Sequence, residues 1–157
     1  MLQAGVPPLL HGAKVGVGTV IAAGWYARLR EMSRDGVASR LTRAILPDAD
    51  AQEEIIRRVY GPVADQIIAQ QAQFIRMSPE RWSALKQRIL DRWDDVQAVA
   101  ARVPAPEAIA AALRSAGGPA TAQELGLSKA EAELAADYGH FTRPRFTIAK
   151  LRPLLGL

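Results

Sequence analysis

The chain lacks cysteine and has only two histidines, His11 and His140, in 157 residues. Without cysteine there are no disulfides, thiolate metal sites or cysteine nucleophiles, and a reducing cytoplasmic setting fits. A zinc site takes three or four ligands, and no H-x-x-x-H spacing offers a pair of them. No Ser-His-Asp or Cys-His arrangement is readable. The glycine-rich stretch from Gly12 to Gly18 does not match a phosphate-cradling G-x-x-x-x-G-K-[ST], and it falls inside an expected helix instead of following a strand. No run approaches the ~20 apolar residues that span a bilayer. The least polar stretch, Val15 to Ala27, is too short and too rich in glycine. Met1 to Leu10 has no basic start, and Pro7–Pro8 interrupt its apolar run, so it does not read as a signal peptide. Sustained period-two alternation is missing, and so is any internal repeat.

What remains is ordinary globular material. Hydrophobic residues are 49% and charged residues 23%, enough for a packed core and against wholesale disorder. The length suggests one domain over residues 1–157. The net charge of +4 is a mild excess, with acids interspersed through most of the chain. No recognition-helix motif appears, so the balance argues against nucleic acid. From Phe141 onward, however, Arg143, Arg145, Lys150 and Arg152 stand with no acid at all. Such a tail is either a solvated cluster or a surface for phosphate.

Apolar spacing predicts helices nearly throughout. One runs from Ala13 to Met32 and carries Gly16, Gly18 and Gly24, with Gly36 as its stop. Interior glycines each cost about 0.5–1 kcal/mol against alanine, so they suggest close approach of another backbone or a ligand. A short helix is expected from Ala38 to Ala44. A third, capped by Asp48 or Asp50, should end at Tyr60, before Gly61–Pro62. A fourth covers Val63 to Arg76. Ser78–Pro79–Glu80 is a strong start signal. It opens one long helix with Trp82, Leu85, Ile89, Trp93, Val96 and Ala100 on a single stripe. Both tryptophans are expected in the core. Glu107 to Ser115 reads as another helix. Thr121–Glu124 and Ser128–Glu131 match the capping box, and each is expected to open a short helix. A last helix starts near Thr147.

His11–Gly12 stands where the Pro7–Pro8 loop enters a small-residue helix. An imidazole there is positioned and partly exposed, with room beside it for another group. Chemistry alone favours a capping or merely surface histidine.

A family resemblance bears on this choice. His11-Gly-Ala-Lys-Val15-Gly-Val-Gly18-Thr19, preceded by Pro8-Leu-Leu, resembles the H-G-x-x-V-x-x-G-T segment of iron- and zinc-dependent polyol dehydrogenases. It is nearest to the sn-glycerol-1-phosphate dehydrogenase branch, whose segment is followed by an aromatic, here Trp25–Tyr26. Leu125-Gly-Leu-Ser128, then Ala132 to Tyr138, then Arg143-Pro-Arg145-Phe-Thr147 resembles that branch's closing segment. The first motif is also similar to one in 3-dehydroquinate synthases.

The resemblance implies an all-α, multi-helix domain like the C-terminal half of these enzymes. It implies that His11 is a metal ligand, with zinc, iron or nickel as the metal and NAD(P) as the hydride carrier. The implied reaction interconverts dihydroxyacetone phosphate and sn-glycerol 1-phosphate, a small phosphorylated polyol. Arg143 or Arg145 would face the substrate phosphate, because planar guanidinium suits bidentate phosphate contacts. The family's other metal ligands and its nucleotide-binding domain lie upstream of anything matched here. They are therefore expected from a partner domain in cis or in trans. Ala13 also departs from the glutamate or glutamine that many relatives carry after H-G. The expectation is that the chain alone binds zinc poorly, turns nothing over and self-associates through apolar surface, forming a homo-oligomer. The alternative is a non-catalytic helical module that pairs with another chain.

Overall fold

A computed structural model of the chain describes residues 10–157. Pro7–Pro8 lie outside the described residues. Among the described residues there are nine α-helices, two short 3-10 turns and no strand, so the fold is all-α.

The helices are α1 (His11–Arg30), α2 (Arg34–Arg43), α3 (Ala49–Tyr60), α4 (Ala64–Ile75), α5 (Pro79–Asp91), α6 (Trp93–Ala101), α7 (Pro106–Ser115), α8 (Lys129–Tyr138) and α9 (Ile148–Leu155). They group into two compact units. The first takes residues 10–31, Gln97–Asp137 and Leu157. The second takes Met32–Val96 and Tyr138–Gly156.

In the first unit α1 packs on α7. The contact is close at one glycine: a Cβ on Gly16 would stand 2.9 Å from Leu113 Cδ2. A Cβ on Gly12, Gly18 or Gly24 would meet nothing within 4 Å. The close neighbour at Gly16 is therefore a leucine side chain, not the backbone or ligand expected. Val17, Ala23 and Leu29 of α1 are buried, along with Ala100, Ala110, Ala120 and Leu125. Arg30 Nη1 donates to the carbonyls of Ala100 (2.9 Å) and Val103 (3.0 Å), and Gln97 Nε2 donates to Leu29 O at 2.9 Å. Carbonyls in the last turns of α1 and α6 thus accept from side chains, and Ala100 O also accepts from Val103 N at 3.2 Å.

In the second unit the core gathers Ile56 of α3, Ala64, Ile67 and Ile75 of α4, and Phe141. Arg40 of α2 donates to Leu155 O at the end of α9. Gly156 closes that helix at φ +63°, a conformation that suits glycine.

Several boundaries differ from expectation for identifiable reasons. Gly36 does not stop α1. It sits in the first turn of α2, where its N–H donates to the Ser33 hydroxyl at 3.1 Å. Asp48, not Asp50, caps α3 through Ala51 N at 2.9 Å. The long helix expected from Ser78 to Ala100 is two helices. Arg92 leaves helical geometry (φ −103°, ψ 17°), while its carbonyl accepts from Val96 N at 3.0 Å and starts α6. Asp94 and Asp95 then occupy the first turn of α6, where negative charge meets the positive end of the helix dipole. The stripe itself survives, with Trp82, Ile89, Trp93 and Ala100 buried.

The Ser128 capping box opens α8 as expected. The Thr121 box also closes: Glu124 N donates to Thr121 Oγ1 at 3.2 Å, and Thr121 N donates to the Glu124 carboxylate at 3.1 Å. No helix follows it. Gly126 turns to φ +78° and Leu127 N returns to Ala122 O at 3.0 Å, so the stop arrives within the first turn.

Candidate functional site

His11 is the first residue of α1, and its side chain is exposed. A Cβ on Gly12 beside it would meet nothing within 4 Å among the described residues. Among the described residues no group of three or more His, Cys, Asp or Glu is gathered that would hold a metal ion.

Arg143 and Arg145 lie in the second unit, on the segment between the 3-10 turn Gly139–Thr142 and α9. With Gln70, Thr142 and Pro144 they line a cleft of about 430 Å³. Both guanidiniums are on the exposed side of the chain, and among the described residues neither has an ion-pair partner. The two arginines singled out in the sequence therefore border the same cleft.

Lys150 does not belong to that solvated basic surface. It is 6% exposed, and the segment folds it inward under the arginine loop. Its ammonium donates to Gln71 Oε1 at 2.9 Å and to His140 O at 3.0 Å. It also lies 4.6 Å from the ring centre of Phe74 and 5.7 Å from that of Phe141. An ammonium has three donors, and two carbonyl-type acceptors plus aromatic faces serve it here without a carboxylate. Burial pushes this amine down to about 8.

Gln71 is wholly buried. It accepts from Lys150 and donates through Nε2 to Phe141 O at 2.7 Å. Its neighbours on the same face of α4 are Ala64, Ile67 and Ile75. A lone glutamine at helical spacing among apolar residues was the available signal for it. Lys150 has no comparable signal, because nothing in Ile148–Leu151 marks which way its side chain turns.

His140 sits beside them, with its ring centre 4.0 Å from that of Phe141 and its Nδ1 buried without a hydrogen-bond partner among the described residues. Burial, then the charges of Lys150 and Arg152, push its pKa down to about 4, so it is neutral at physiological pH.

No known protein family, curated protein or solved structure matches the chain.

Proposed function

We propose that this chain is the helical, metal- and substrate-binding portion of an NAD(P)-dependent oxidoreductase acting on a small phosphorylated polyol, of the dihydroxyacetone phosphate and sn-glycerol 1-phosphate type. The observation that carries this reading is the pairing of two features. The H-G-x-x-V-x-x-G-T segment is the opening of one long helix with His11 exposed at its start, and the two arginines of the R-P-R-F-T segment line a single cleft.

His11 would contribute one ligand to a zinc, iron or nickel ion through a neutral imidazole. The bound metal supplies Lewis acidity toward a carbonyl or alkoxide oxygen, and the nicotinamide carries the hydride. The chain's own tasks are narrower. His11 holds its ring at a fixed helix start, with Gly12 leaving room for close approach. Arg143 and Arg145 bind and orient the phosphate, which fixes the carbon skeleton of the substrate. The remaining ligands and the nucleotide site are assigned to a second domain, in cis or in trans.

The test uses the polypeptide as its own cells make it, captured with an antibody against this chain. Oxidation of NADH or NADPH should depend on dihydroxyacetone phosphate, stop on chelation and return with added zinc, iron or nickel. Unphosphorylated dihydroxyacetone should be a far poorer substrate. Absence of nicotinamide oxidation under every one of these metals would contradict the reading.

A second reading, a non-catalytic helical module pairing with another chain, draws on Leu10 and Val15, which stand 82% and 50% exposed on the opening turns of α1. It predicts stable complex formation with no nicotinamide-linked turnover.

A further inference from the structure

The segment from Tyr138 to Thr147 has little regular structure beyond one 3-10 turn, yet side chains hold several of its carbonyls. Tyr138 O accepts from the Tyr60 hydroxyl at 2.7 Å. His140 O accepts from Lys150 Nζ at 3.0 Å, and Phe141 O from Gln71 Nε2 at 2.7 Å. Pro144 O accepts from Gln73 Nε2 at 3.2 Å, and Gly139 O from Thr142 Oγ1 at 2.8 Å. The outside donors come from α3, α4 and α9, three elements that share a unit with the loop.

An ordinary surface loop needs none of this, because water satisfies its carbonyls. Here two buried polar side chains, Gln71 and Lys150, are committed to it. An ammonium held in the core without a carboxylate is costly, and it survives only where its hydrogen bonds are made. The outcome is a loop of fixed shape that presents Arg143 and Arg145 together at one cleft beside Gln70.

We propose that Tyr138–Thr147 is a prebuilt binding loop for a phosphate monoester, gripped by Arg143 and Arg145, and that Gln71, Gln73 and Lys150 are positioning residues that hold its shape. This rests on the role given to the two arginines above. Two guanidiniums with no acid in the segment match a dianion, whereas a single carboxylate would leave one of them uncompensated. Holding the loop before the ligand arrives removes part of the ordering cost of binding.

The experiment titrates inorganic phosphate into the chain at constant ionic strength, with chloride as the competing anion, by calorimetry. Arg143→Ala and Arg145→Ala should each weaken phosphate binding at least about tenfold, as expected for loss of a charged hydrogen-bonding group. Gln73 is exposed, so Gln73→Ala should leave the melting temperature unchanged and still weaken binding by about threefold, the worth of one neutral hydrogen bond. A purely structural residue would not separate these two readouts. Lys150→Met should weaken binding by about tenfold if it folds, and Gln73→Ala decides the matter if it does not.

The proposal is overturned if phosphate binds no better than chloride, or if both arginine variants bind it normally. Unchanged affinity in Gln73→Ala and in a folded Lys150→Met would overturn the positioning roles. Phosphate binding that needs the arginines, in a polypeptide with no nicotinamide-linked turnover, would overturn the dehydrogenase reading and leave the loop standing.

Discussion

Lys150 is where a single residue says most about this fold. Its folded pKa of about 8 lies below the ordinary 10.5. Between those values the unfolded chain holds a proton that the folded chain has lost, so stability rises as pH climbs through that window. The gap corresponds to about 3 kcal/mol. Urea unfolding of the wild type should therefore show a midpoint that rises from pH 8 toward 10.5, and Lys150→Met should flatten this rise. An equal rise in both proteins would contradict the assignment. His140 has the same sign in a lower window. Its folded pKa of about 4 lies below 6.5, so its contribution is complete above about 6.5 and is lost as pH falls toward 4.

At the scale of the element, α1 separates glycines by what they touch. A side chain at Gly18 or Gly24 would enter open space, and alanine there should stabilise the chain by about 0.5–1 kcal/mol each through helix propensity. Gly16 faces Leu113, so Gly16→Val should destabilise by about 1–3 kcal/mol through overpacking against α7. Thermal melts of the three variants check the order, and a stabilising Gly16→Val would refute the packing. The all-helical character was legible because apolar residues recur at three and four throughout, and Ser78–Pro79–Glu80 and the Ser128 box marked real starts. The α5–α6 break was not read, although Asp94–Asp95 in mid-pattern was its signal. The Thr121 box misled because a capping box needs a helix long enough to follow it, and Gly126 forbids that. The acid-free basic run that holds Arg143 and Arg145 was legible as a charge pattern, but the cleft they line was not. The buried Gln71–Lys150 pair beneath it was not, because a lysine's direction depends on tertiary packing that local sequence does not encode.

At the scale of the whole molecule, His11 stands in one compact unit and the arginine loop in the other. The proposed chemistry divides the same way, with metal binding at the start of α1 and phosphate recognition ahead of α9. None of the helices in the described residues is long and apolar enough to cross a membrane. One measurement tests the central claim most directly: nicotinamide-linked turnover of dihydroxyacetone phosphate by the polypeptide as its cells make it, wild type against His11→Ala. His11 is exposed, so the substitution should leave folding intact. The account predicts that turnover falls by about a hundredfold or more with the loss of a metal ligand, together with the metal itself. Wild-type turnover in His11→Ala would contradict it.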